Sequence, residues 1–188
     1  KCLVGLRGKP LIEWQLDAIR AAGIYEIAIV TGYRKDMLST YGLWEFHNLH
    51  WSETNMVVSL QNAALWLQSE PCIVSYSDIF YTSSAVRSLA KCTASLAVTY
   101  DPNWLSLWSK RFDDPLSDAE TFSINASNHI TEIGDIPNTI AEVQGQYMGL
   151  LKITPESWAH IVGLLANLTK SELASLSMTK LLKNVIRE

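Results

Sequence analysis

The chain has 188 residues, 48% hydrophobic and 18% charged, which is the balance of one ordinary packed domain and excludes a disordered chain. The formal net charge of −4 excludes a general nucleic-acid binder, because a phosphate backbone demands a basic face, yet it leaves room for a nucleotide held by one Lys and a metal ion. No apolar run approaches the roughly 18 residues of a membrane span and no secretory leader is visible, so no membrane partner is expected.

Residues 10–22 read as a helix, with Pro10 suited to its first position and Gly23 to the position past its end. The unbroken run Ile27-Ala28-Ile29-Val30 predicts a strand over 25–31 buried on both faces. A short helix over 34–40, a strand over 44–48 and a helix over 54–67 follow. A strand over 72–76 stops before Asp78, and then come a helix over 83–91 and a strand over 94–100. This alternation predicts a three-layer α/β/α fold with a mostly parallel, Rossmann-like sheet. Beyond Asp101 the character changes. Residues 122–124 and 129–133 predict a small antiparallel hairpin, residues 144–154 a strand, and residues 155–165 and 171–186 two helices. No repeat or linker interrupts the chain, and a single domain over 1–188 is expected. Cys2, Cys72 and Cys92 are odd in number and form no Cys-x-x-Cys. Buried thiols at 72 and 92 and a reducing cytoplasmic setting are expected.

In an open parallel sheet, ligands bind at the carboxyl ends of the strands. That rule selects Thr31, Gly32 and Tyr33; Asn48; and Ser77, Asp78 and Tyr81. A carboxylate that ends a buried strand suits a hard divalent cation, and it suits a turn cap equally well. Thr54-Asn55 stands where a helix begins, as an anion site or as an ordinary cap. His47 and His50 have no Cys or His partner nearby and are not read as a metal site. Trp51, Trp104, Trp108 and Tyr147 form an aromatic cage for a quaternary ammonium on one reading and plain packing on the other. Glu120 reads either as a partner for an amine on a ligand or as a solvated charge. The hydrolase, zincin, Walker and dinucleotide signatures are absent.

Several stretches together resemble the nucleotidyltransferases of the choline-phosphate cytidylyltransferase and sugar-1-phosphate type. They are Lys1-Cys2-Leu3-Val4, Gly8-Lys9-Pro10-Leu11-Ile12-Glu13-Trp14-Gln15-Leu16, Val30-Thr31-Gly32-Tyr33, Asn48, Thr54-Asn55 with Ser59, and Gly145-Gln146-Tyr147-Met148-Gly149. The resemblance implies the nucleotide-diphospho-sugar transferase fold. It also implies transfer of a nucleotidyl group, CMP favoured, from an NTP (CTP favoured) to a small phosphorylated acceptor such as phosphocholine, an aminophosphonate or a sugar 1-phosphate. Lys1 would contact phosphates and Asp78 would hold Mg2+. Thr31, Gly32, Tyr33, Thr54, Asn55 and Ser59 would lie along the nucleotide. Asn48, Glu120, Gln146, Tyr147 and Gly149 would line the acceptor side, and a homodimer is an admitted assembly. The family's Gly-x-Gly-x-Arg loop with its strand, and its late Glu-Ile-Asp segment, do not occur in these residues. The expectation is therefore of a domain trimmed at both ends and inactive by itself. The alternative is a non-catalytic nucleotide-binding or assembly domain on the same fold.

Overall fold

The computed structural model describes residues 1–187. The chain opens with a two-rung antiparallel hairpin, β1 (Gly5–Leu6) and β2 (Lys9–Pro10), turned through Arg7 and Gly8, both at positive φ. Helix α1 (Leu11–Ala21) follows directly, with Ile12, Gln15, Leu16 and Ala18 on its buried side. Strand β3 (Ala28–Thr31) pairs in parallel with β4 (Trp44–His47) across a 3-10 segment, Lys35–Tyr41.

The second half is built on a three-stranded sheet in the order β5 (Cys72–Ser75), β9 (Gln146–Ile153), β6 (Leu96–Asp101). Strand β9 runs antiparallel to both neighbours, so β5 and β6 point the same way on either side of it. The sheet is covered on both faces. Leu151 and Ile153 point to a large core shared with α2 (Met56–Gln61), α3 (Ala64–Ser69), α6 (Pro155–Ala166) and α8 (Met178–Arg187). Leu150 and Ile73 point the other way, into a cluster with Ile19 of α1 and with Val86 and Leu89 of α4 (Ser83–Lys91). The period-2 alternation along β9 feeds two helical layers. The predicted hairpin is present as β7 (Phe122–Ile124) and β8 (Ile130–Ile133).

The expectation of a mostly parallel sheet needs correction for the described residues. Only β3 with β4 forms a parallel ladder, because β9, reached after the hairpin excursion, inserts antiparallel between β5 and β6. Nor is β3 buried on both faces. Ala28, Ile29 and Val30 are half-buried, and β4 is the ladder partner of β3. Two expected helices are each divided. Asn62 ends α2 by turning its side-chain amide onto the carbonyls of Val58 and Ser59, a local bond that competes with the helix. Near the chain's end, a Thr169–Glu172 capping box starts α7 (Lys170–Ser175), and the Ser177 hydroxyl, accepting from the Lys180 amide, starts α8. Of the free cysteines Cys2 is buried, whereas Cys72 and Cys92 are half-buried, since both sit at the ends of elements. No helix among the described residues is long and apolar enough to cross a membrane.

Candidate active site

The turn that follows β5 carries Ser77 and Asp78. Asp78 Oδ2 lies 3.0 Å from Lys1 Nζ, a meeting of residues 77 positions apart. The pair is open to solvent, with side chains 80% (Lys1) and 38% (Asp78) exposed. An exposed pair of this kind is worth about 0–1 kcal/mol, so both groups can be drawn onto a ligand at little cost. Asp78 offers hard oxygens at a strand end. A Mg2+ site of one or two carboxylates, completed by water and phosphate oxygens, accepts such a donor. Among the described residues no group of three or more His, Cys, Asp or Glu gathers elsewhere as a metal cage.

A second group forms around Asn48, which is 2% exposed. Its backbone N–H donates to Thr31 O (2.9 Å), and its side-chain amide donates to Thr54 Oγ1 (3.0 Å) and Ser59 Oγ (3.1 Å). Its carbonyl oxygen accepts from the His50 amide (2.9 Å). Asn48 is thus the knot that folds residues 48–59 onto the end of β3, its polar atoms turned inward rather than toward an acceptor. Asn55 caps α2 by accepting from the Met56 N–H (2.8 Å). Thr31 is buried, donates its hydroxyl to Glu45 and meets His47 Nδ1 at 3.0 Å. Gly32 lies so close to Trp51 that a Cβ there would stand 2.5 Å from the Trp51 Cβ. Tyr33 leans on the same indole, ring centres 5.2 Å apart.

The third group lies along the start of β9. Gln146, buried, clamps the Glu120 backbone through Nε2 to Glu120 O (2.7 Å) and Oε1 from Glu120 N (3.4 Å). The Glu120 carboxylate is half-buried, accepts from Thr179 Oγ1 (3.2 Å), and has its pKa raised above the ordinary carboxylate value, chiefly by burial. The Tyr147 hydroxyl is buried without a protein partner, and burial pushes its pKa up.

Tyr76, which sequence reasoning did not single out as a site residue, joins the three groups. It stands two residues before Asp78, and its ring meets Tyr147 edge-on at 5.9 Å. Its hydroxyl donates to Met56 Sδ (2.7 Å), and burial pushes its pKa up to about 12. Gly149, at φ 74°, makes room for it: a Cβ there would lie 2.7 Å from Tyr76 Cγ. On the opposite face of the sheet a cavity of ≈ 240 Å³ is lined by Phe80, Tyr81, Tyr100, Asp101 and Met148, and the Tyr81 hydroxyl is also buried and unpartnered.

The proposed aromatic cage is not assembled. Trp104 is core, donating Nε1–H to Val143 O (2.9 Å), and Trp108 packs on it with Arg111 over its ring. Trp51 belongs to Tyr33, and Tyr147 to Tyr76. The i, i+4 spacing of the two Trp residues is packing on α5 (Trp104–Trp108).

The MobA-like NTP transferase domain profile matches residues 1–127, the stretch that contains Lys1, the Asn48 knot and Asp78. The chain belongs to this family of nucleotidyltransferases. It is 34% identical over 172 residues to CTP:phosphoglutamine cytidylyltransferase of Campylobacter jejuni, a match that covers 86% of this chain and 68% of that protein. Among solved structures it resembles UDP-glucose pyrophosphorylase complexed with UDP-glucose (TM-score 0.74, 17% identity, 100% of this chain and 78% of that one). It also resembles the inositol-1-phosphate CTP transferase from T. maritima (TM-score 0.71, 16% identity, 100% and 72%). At these identities the structural likeness establishes the α/β fold of the nucleotide-diphospho-sugar transferases.

Two outcomes follow from the geometry. Gly149→Ala drives a methyl group into the Tyr76 ring at a positive-φ position, and a loss of about 1–3 kcal/mol is expected by urea denaturation. Glu120 releases its proton less readily folded than unfolded, so its contribution to stability falls as pH rises above the ordinary carboxylate range. Glu120→Gln keeps the acceptor for Thr179 and removes that titration. Relative to wild type it gains stability as pH rises past the ordinary carboxylate range, read from paired melting curves.

Proposed function

We propose that the chain transfers CMP from CTP to a small phosphorylated acceptor and releases pyrophosphate. The observation that carries this reading is the meeting of Lys1 and Asp78 at the end of β5. The 34% identity to a protein that uses CTP supports the choice of nucleotide. An acceptor phosphate oxygen attacks the α-phosphorus, the new P–O bond forms, and the bond to the bridging oxygen breaks as pyrophosphate leaves. The reaction needs no covalent nucleophile, and it is driven by positioning and charge neutralisation.

In this reading Lys1, whose side chain is exposed to solvent, neutralises triphosphate charge. Asp78 holds Mg2+, which when bound supplies Lewis-acid stabilisation of the phosphoryl oxygens. Residues 31–33 and the segment 54–59 shape the nucleotide side, with Asn48 bracing that loop. Glu120, Gln146, Tyr147 and Gly149 form the acceptor side. The half-buried Glu120 carboxylate is the counter-charge for an amine on the acceptor. The fold is read as one domain over 1–188. The three free cysteines fit a cytoplasmic location.

The test is pyrophosphate release with Mg2+, each of the four NTPs being run against phosphorylated acceptors with and without an amine. Release is expected with CTP and an amine-bearing acceptor. Asp78→Asn is expected to lower turnover on the order of 10²–10³-fold, the scale of losing one electrostatic stabiliser of the transition state. Turnover undiminished in Asp78→Asn would remove Asp78 from the mechanism.

A further inference from the structure

Gln15 is a polar residue on the buried side of α1, 7% exposed, among Ile12, Leu16 and Ala18. An apolar residue is the default at such a position, because a buried amide costs free energy unless its hydrogen bonds are made. Both N–H bonds of the Gln15 amide are used on one target. Nε2 donates to Tyr76 O (2.9 Å) and to Ile79 O (2.7 Å), the two carbonyls that bracket Ser77 and Asp78. The preceding residue, Trp14, meets Phe80 edge-on with ring centres 6.0 Å apart, so consecutive residues of one helix grip the segment that carries Asp78. The first turn of the same helix anchors the segment that follows Lys1: the N–H groups of Leu11 and Ile12, which have no partner within the helix, donate to Val4 O and Cys2 O, both at 2.9 Å.

We infer that Gln15 is the positioning residue for Asp78, making α1 the element that sets the spacing between the Asp78 carboxylate and Lys1. The inference rests on the proposed role of Asp78 as the metal-holding carboxylate. Gln15 touches no reacting atom; it acts through the backbone of the turn.

The experiment compares wild type with Gln15→Met and Gln15→Leu, both of which keep an apolar side chain of similar bulk and remove the donor. Asp78→Asn runs beside them. Two quantities are read: hydrogen exchange over residues 76–80, and the equilibrium affinity for Mn2+ with CTP, measured by the Mn2+ electron paramagnetic resonance signal. In both Gln15 variants exchange at the turn is expected to rise, and affinity to fall, each about tenfold, the size of one net hydrogen-bonding interaction lost. Exchange over α6 is expected to stay at the wild-type rate, which separates a loosened turn from a loosened fold. Wild-type exchange at the turn, or wild-type affinity, in either folded variant overturns the inference. Undiminished affinity in Asp78→Asn overturns instead the reading of Asp78 on which it rests.

Discussion

Everything at the site depends on one close approach, that of the Tyr76 ring to the bare backbone of Gly149. Strand β9 reaches this point antiparallel to β5, and the ladder continues one step past β5, through Tyr76 N to Gly149 O at 2.8 Å. Without a side chain at 149 the ring lies flat on the strand and its hydroxyl reaches Met56. The chain then turns sharply and delivers Asp78 to the surface. A single aromatic side chain therefore ties α2, β9 and the turn that carries Asp78 into one unit. Its neighbours are chosen to suit, with Tyr147 edge-on and Gly149 empty. An edge-to-face pair of this type adds about 0.5–1.5 kcal/mol beyond the area it buries.

Rigidity and availability are divided between different groups. Asn48 and Gln15 are buried and hydrogen-bonded, and their amides are spent on backbone and loop. Lys1 and Asp78 sit at the surface, joined by one solvent-exposed, hydrogen-bonded ion pair. That division suits phosphoryl chemistry, where the framework must not move and the charges must be free to transfer onto a highly charged ligand. Glu120 occupies an intermediate position. Its backbone is clamped by Gln146, while its carboxylate, half-buried, keeps a raised proton affinity.

How much of this was legible in the sequence depends on whether the signal was local. Asp78 was visible because a buried apolar run that stops at a carboxylate marks a strand end. The hairpin at 122–133 was visible from two short runs around Asn125 and Asn128. Lys1 acquired a role only through family resemblance, since nothing near it in sequence distinguishes it. Gln15 and Tyr76 looked like ordinary members of a helix and a strand. Their importance lies in contacts 61 and 64 residues away for Gln15 and 20 residues away for Tyr76. The direction of β9 was also illegible, because periodicity reports which residues face a core and not which way the strand runs. The broken helices carry a local signal. Asn62 and Ser177 are residues whose side chains compete with or cap the backbone, and each marks a break.

The most direct test of the account is a crystal structure with Mn2+ and CTP, the cation located by its anomalous scattering. The account requires the Mn2+ peak within bonding distance of the Asp78 carboxylate, with Lys1 released from Asp78 and turned onto a phosphate. A nucleotide bound elsewhere, with the Lys1–Asp78 pair still closed, would contradict it.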